Sequence, residues 1–196
     1  MGTSSREYDM TTRTAAAGRT RDRLLRAARD HFADRRYDDV TLADIASAAR
    51  VTVQTLLNHF GSKEGLLAAA IEVFAAEVED LRGHVEPGDV EGAIDGLLRE
   101  YETLGDANWR AVADSDSQPI LHDMLVIARA EHRAWLVDVF GPHLPGDAAA
   151  REAVLTALFA ATDVGTWKLL RRDLGCEPEA TRATLLALVS GLVRKE

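Results

Sequence analysis

The stretch TLADIASAARVTVQTLLNHFGSK, residues 41–63, decides the reading of this chain. Thr41 with Asp44 three residues on has the form of a capping box, and Leu42, Ile45, Ala46 and Ala49 then recur at helical spacing. A short helix is therefore expected from about Leu42, stopping at Ala49-Arg50-Val51. Thr52 is placed to cap a second helix, in which Val53, Leu56 and Phe60 share one face while Gln54, Thr55, Asn58 and His59 stay largely outward. The result is a helix-turn-helix over 41–60, followed at once by the start of another helix at Ser62. An outward face of Gln, Thr, Asn and His suits a DNA major groove. These short side chains mix donors and acceptors, Gln or Asn can pair bidentately with an adenine edge, and Thr can touch a thymine methyl. Gln54, Thr55 and Asn58 are thus expected to read bases. Thr41, Thr52, His59 and Lys63 are expected at phosphates, since Thr41 and Thr52 stand at helix starts, where free amides and the helix dipole favour an anion.

Flanking residues extend the pattern. Leu24, Leu25, Ala28 and Phe32 form the apolar stripe of a preceding helix over Thr20 to Asp34, and Ser62-Lys63-Glu64 opens a following one carrying Leu66, Leu67, Ala70, Ile71, Phe74 and Val78. In this ordered set (the paired leucines, Thr41-Leu42, Asp44-Ile45-Ala46, Thr55-Leu56, His59-Phe60 and Ser62-Lys63-Glu64) the chain resembles the TetR-like transcriptional regulators, from Thr20 to about Val78. Two departures stand out. Arg50 occupies a turn position where the family usually has Gly, so it is expected at positive φ, and Leu57 replaces a Tyr that usually touches the DNA backbone. Val53 matches a position that often reaches a base and here offers only a methyl contact.

The formal charge of −9 divides unevenly. Residues 1–65 hold eleven Arg or Lys against nine acids, a balance of +2, and the remainder carries −11. Arg13, Arg19, Arg21 and Arg23 lead into the first helix with only Asp22 among them, and the arm that precedes this helix, 1–19, serves equally as a phosphate or minor-groove contact or as a solvated tail. Three regions are expected: the flexible basic arm 1–19, the DNA-binding domain 20–65, and a regulatory and dimerisation domain 66–196. The fold expected is all-α, with about nine helices and no strand-like alternation. The polar N-terminus, the lack of a long apolar run and the single Cys176 point to a cytoplasmic chain without membrane span or internal disulfide.

In the second region, Pro87-Gly88 is expected to end the helix from Ser62, Asp89 to cap the next, Gly105–Asn108 to break it, and Gly141-Pro142 to close a helix begun after Pro119. A helix capped by Asp147 is expected to reach about Arg172, and one opened by Pro178 to finish the chain. Val154, Ala157, Leu158, Ala161, Leu185, Leu188, Val189 and Leu192 on these last two helices form the expected dimerisation surface, a four-helix interface that the family resemblance implies. Two-fold symmetry then predicts a pseudo-palindromic operator in double-stranded DNA. The resemblance also implies a small-molecule effector, with no cofactor or metal. Its candidate pocket residues are Phe74, Leu98, Tyr101, Trp109, Met124, Ala128, Trp135 and Trp167, with His122, His132 or Asp163 as polar handles. The same aromatic stripe serves a plain core equally well. No G-x-S-x-G elbow, phosphate-binding Gly loop or H-E-x-x-H is present, so no enzyme is expected. The remaining alternative is a helix-turn-helix module that acts in DNA architecture or protein interaction without an effector.

Overall fold

The structure, a computed structural model, describes residues 4–193, with side chains described from residue 15. Among the described residues there are nine α-helices and no strand: α1 Ser4–Asp34, α2 Leu42–Ala48, α3 Val53–Phe60, α4 Lys63–Arg82, α5 Val90–Asp114, α6 Pro119–Phe140, α7 Ala148–Thr162, α8 Val164–Lys168 and α9 Pro178–Val193. Short 3-10 turns at Tyr37–Asp39 and Gly141–His143 and a π-turn at Leu169–Asp173 complete the helical content. The all-α expectation holds.

The chain divides into a unit of residues 1–75 and a unit of 76–196. The first packs α1, α2, α3 and the start of α4 around Leu24, Ala28, Val40, Ile45, Leu56 and Leu66, each at most 1% exposed. The second packs α5 against α6, α8 and α9, with α7 against α6 and α9. Its centre is Ile94, Leu97, Leu136, Phe140, Leu158, Trp167 and Val189, all fully buried. Each such side chain contributes about 1.5–3 kcal/mol of hydrophobic stabilisation.

Four boundaries differ from the sequence expectation, each for a local reason. Helix α1 begins at Ser4 rather than Thr20, because Ala15-Ala16-Ala17 and the residues around them contain no helix breaker stronger than Gly18. The side chain of Arg13 lies outside the described residues; Arg19 and Arg23 are exposed on this helix. The helix from Lys63 ends at Arg82, ahead of Gly83 at φ 67°, before Pro87-Gly88 is reached. Helix α5 runs straight through Gly105–Asn108. Gly105 is there for close approach: a Cβ would stand 2.4 Å from a Trp167 ring carbon. Finally, the run expected from Asp147 to Arg172 is interrupted at Asp163, whose extended backbone ends α7 and whose carboxylate caps α8 by accepting from Gly165 N at 2.7 Å. The alanine-rich stretch 148–173 is, against expectation, long and apolar enough by length and composition to cross a membrane. In the structure Asp163 bends it, and Leu155, Leu158, Trp167 and Leu170 are buried in the core of the second unit.

Candidate nucleic-acid interface

The caps read from the sequence set the geometry of α2 and α3. Thr41 Oγ1 accepts from Asp44 N at 3.1 Å while the Asp44 carboxylate accepts from Thr41 N at 3.3 Å, a reciprocal capping box. These Thr41 bonds, ahead of Arg35 Nη1 at 3.2 Å, hold the Asp44 carboxyl below the usual carboxylate range. Thr52 Oγ1 likewise accepts from Thr55 N at 3.1 Å and fixes the start of α3. Between them Ala49 is buried and Val51 half-buried, whereas Arg50 and Thr52 are exposed. This alternation requires a tight turn, and Arg50 makes it at φ 55°. It is the single positive-φ non-glycine among the described residues, where the sequence expected it.

Leu56 anchors α3 in the core at 0% exposure, so the opposite face looks outward. Val53, Gln54 and Asn58 are exposed on it; Thr55 and His59 are half-buried. Gln54 Nε2 donates to Asn58 Oδ1 at 3.0 Å, one turn along. That bond leaves the Gln54 carbonyl oxygen and the Asn58 amide hydrogens for an external partner, a ready acceptor and donor side by side. The Thr52 and Thr55 hydroxyls lie 2.9 Å apart. Leu57 is half-buried and offers no hydroxyl.

Lys63, expected at a phosphate, has a tertiary partner as well. Its Nζ donates to Tyr37 O at 2.5 Å and lies 4.0 Å from the Tyr37 ring centroid. The Tyr37 hydroxyl donates to Glu64 Oε1 at 3.2 Å; burial first, and Glu64 second, push its pKa up to about 12. Lys63 thus staples the Tyr37–Asp39 turn to the start of α4, whose first turn is capped by Ser62 Oγ accepting from Gly65 N at 3.1 Å. Other cations of this unit are engaged as well. Arg35 donates to Asp39 O and Asp44, and Arg21 lies 5.5 Å from the Phe60 ring centroid. Sequence spacing carried no sign of these tertiary partners.

The pocket candidates separate. Phe74 belongs to the first unit and the others to the second. Tyr101 and Trp167 are core residues; the Tyr101 hydroxyl donates to Thr162 O at 2.8 Å and Trp167 Nε1 donates to Glu102 at 2.9 Å. Leu98, Trp109, Met124 and Trp135 are half-buried, while His122 and Ala128 are exposed. Lys168 lies over Trp109 and Arg82 over Trp135, at 5.2 and 4.8 Å from the ring centroids. A cleft of about 480 Å³ is instead lined by Arg133, Thr156, Phe159, Ala160, Asp163, Gly165 and Thr166. Of the expected set it contains Asp163 alone.

His132 lies in a buried polar cluster. Thr162 donates its hydroxyl hydrogen to Leu158 O at 2.8 Å, so its oxygen accepts from His132 Nε2–H at 2.9 Å. His132 Nδ1 is then left as acceptor toward Arg82 Nη1 at 3.4 Å, and Arg82 donates twice to Glu100 at 2.9 and 2.6 Å. Burial first, and the adjacent guanidinium second, depress the His132 pKa to about 3. Burial likewise outweighs Arg82 at Glu100 and raises its carboxyl above the usual range. Each member bonds to at least one other, so the cluster ties α5, α6 and α7 to the end of α4.

On α7 and α9, Leu158, Ala161, Leu185 and Val189 of the expected dimer surface are at most 8% exposed and lie in the chain's own core. Val154, Ala157 and Leu192 are half-buried, and Leu188 is 46% exposed. The apolar period alone does not distinguish an inward row from an outward one where apolar residues stand on both sides of a helix, as on α7 and α9.

Residues 24–75 match the family model described as "Bacterial regulatory proteins, tetR family". The chain is 28% identical over 135 residues to the HTH-type transcriptional repressor Rv3405c of Mycobacterium tuberculosis, covering 69% of this chain and 66% of that protein. It is also 33% identical over 101 residues to the HTH-type transcriptional regulator TcmR of Streptomyces glaucescens, covering 41% and 44% of the two chains. The match to the first of these relatives thus stops short of two thirds of its length. Among solved structures, a TetR-family transcriptional regulator from Rhodococcus sp. superposes with a TM-score of 0.70 at 19% identity, over 90% of this chain and all of that one, a likeness of fold.

Proposed function

We propose, from the match of residues 24–75 to the tetR family of bacterial regulatory proteins, that this chain is a homodimeric, sequence-specific DNA-binding transcriptional regulator of that family. It acts as a repressor, released from its operator by a small molecule. The observation that carries the DNA-binding part is the outward row of α3, where Gln54 and Asn58 present a paired acceptor and donor beside the exposed Thr52 cap and Val53. Such a row, held by a capped helix whose other face is anchored by Leu56, matches what major-groove readout needs.

With a first-region balance of only +2, one protomer neutralises few phosphates, and two half-sites are needed for useful affinity. The outward remainder of α7 and α9, with Leu188 exposed and Val154, Ala157 and Leu192 half-buried, is the surface we assign to dimerisation. The cleft beside Asp163 is the place assigned to an effector. Its volume of about 480 Å³ lies within the range of small-molecule sites, and Phe159 with Thr156, Thr166 and Asp163 supplies an apolar wall with a few polar groups. For release, the effector must prefer the non-binding conformer: going from 1:99 to 99:1 takes about 10⁴-fold differential affinity.

Selection of bound duplexes from a random pool with the purified chain tests the reading. A two-fold-symmetric enriched motif is the expected result. No enrichment over input would overturn sequence-specific regulation in favour of an architectural or interaction module. Mass measurement by light scattering, with Leu188→Arg as the variant, tests the dimer: a dimer that becomes monomer is expected, and a monomeric parent chain would refute it.

A further inference from the structure

Arg50 combines three properties that an ordinary turn residue does not need. It sits at φ 55°, in the left-handed region that L side chains with a Cβ rarely adopt. It is exposed, with the buried Ala49 on one side and the half-buried Val51 on the other, so its side chain projects outward along with that of Thr52. No acid or ring engages its guanidinium among the described residues, whereas Arg21, Arg35 and Lys63 of the same unit are each held by a neighbour. A strained backbone held at a surface position points to a function that the strain serves.

Its place in the fold indicates which one. Arg50 lies two residues before Thr52, the cap of α3, and the eight-residue α3 directs its first-turn amides and positive dipole end to the same side as the exposed Thr52 and Gln54. A phosphate approaching that end meets the guanidinium as well. Leu57 supplies no hydroxyl to a phosphate, and Lys63 spends one of its three N–H donors on Tyr37 O. We propose that Arg50 is a DNA-backbone contact, a phosphodiester ligand flanking the α3 N-terminus, and that the chain keeps it there against the conformational preference of its own turn. The proposal rests on the DNA-binding reading given above, and it predicts opposite signs for stability and binding at one position.

The experiment compares the full chain with Arg50→Gly, Arg50→Asn and Arg50→Lys. Thermal unfolding is measured together with binding to a selected duplex and to a random-sequence duplex, from 50 to 200 mM salt. Gly and Asn tolerate positive φ, so both are expected to raise the melting temperature, Gly by about 2–4 °C. Both are expected to weaken the two duplexes alike, by roughly five- to tenfold per protomer near 0.1 M salt, and to flatten the slope of log K against log salt by about 0.9 per protomer. Arg50→Lys keeps a positive charge and is expected to keep most of the slope. Gly and Asn variants that bind with the parent's affinity and slope would overturn the proposal, as would a loss confined to the selected duplex, which would make Arg50 a base reader. Failure of the parent chain to prefer any sequence is a separate result. It refutes the sequence-specific reading, while the random-duplex slopes still decide the role of Arg50.

Discussion

The polar groups of the first unit and those of the second are arranged to opposite ends. On α3 the Gln54–Asn58 bond and the Thr52–Thr55 hydroxyl pair are solvent-accessible and involve neutral side chains one turn apart. Such bonds contribute little to folding and exchange readily for bonds to a base or phosphate. Where α5, α6 and α7 meet the end of α4, Glu100, His132 and Thr162 are buried, Arg82 is half-buried, and the four close on one another. There a lost partner leaves an unsatisfied group in a low dielectric. The comparison teaches that the polar residues able to recognise a ligand are those held loosely, while the saturated ones specify how helices pack.

Breaking the buried end of this comparison has the largest expected effect. Glu100→Leu leaves the Arg82 guanidinium, 14% exposed, without its carboxylate, and is expected to cost about 3–5 kcal/mol in urea unfolding. The double variant Arg82→Met with Glu100→Leu should recover most of that loss, since no unpaired charge remains. A single variant as stable as the parent would mean that Arg82 reaches water.

The cluster also makes stability depend on pH, with a definite sign. His132 titrates near 3 when folded against about 6.5 when unfolded, so between these values the unfolded chain binds the extra proton. Stability is therefore expected to fall on acidification below pH 6.5, by up to about 1.4 kcal/mol per pH unit from this group. Glu100 acts oppositely, because its raised folded pKa makes the folded state take up a proton first as the pH drops. Comparing the parent with His132→Gln at each pH isolates the histidine: the difference between their slopes should vanish above pH 7 and appear below 6.5. Equal slopes throughout would show His132 to be solvated.

Much of the exposed end was legible in the sequence, and the reason is its locality. The Thr41–Asp44 box, the Thr52 cap, the positive φ of Arg50 and the inward Leu56 depend on residues within a few positions of one another, whereas Val53, expected on the same face as Leu56, is 37% exposed. The contact of Lys63 with Tyr37 was not legible, because Tyr37 lies 26 residues away and sequence spacing carries no record of that meeting. The second unit was less legible for the same reason. Gly105 looked like a break because its partner, Trp167, is remote in the chain, and on α7 and α9 apolar residues stand on the outward side, as Leu188 does, as well as the inward one. Caps again fared better there, with Asp89 and Asp147 each accepting from the expected first-turn amide.

The exposed end sharpens through Gln54. Gln54→Ala is expected to cost about 1–3 kcal/mol of binding at one base pair and under about 0.5 kcal/mol of folding stability. Because Gln54 and Asn58 share a bond, the binding losses of Gln54→Ala and Asn58→Ala should not add in the double variant. Equal losses on selected and random duplexes would move Gln54 from base readout to the backbone.

The smallest effect separates the two kinds of polar group most cleanly, because it places one substitution at two equally buried threonines. Thr181 is fully buried in the first turn of α9, and its hydroxyl has no hydrogen-bond partner among the described residues. Thr162 is 1% exposed, and its hydroxyl both donates to Leu158 O and accepts from His132. Valine matches threonine in shape. At Thr181 the change removes an unsatisfied group and is expected to stabilise the chain by about 1 kcal/mol. At Thr162 it orphans the His132 Nε2–H and is expected to destabilise by about 1–3 kcal/mol. Opposite shifts of the urea midpoint, with m unchanged, are the predicted outcome. If Thr181→Val instead lowers the midpoint, its hydroxyl has a water partner, and burial would then fail to separate the polar groups that hold this bundle together from those it merely tolerates.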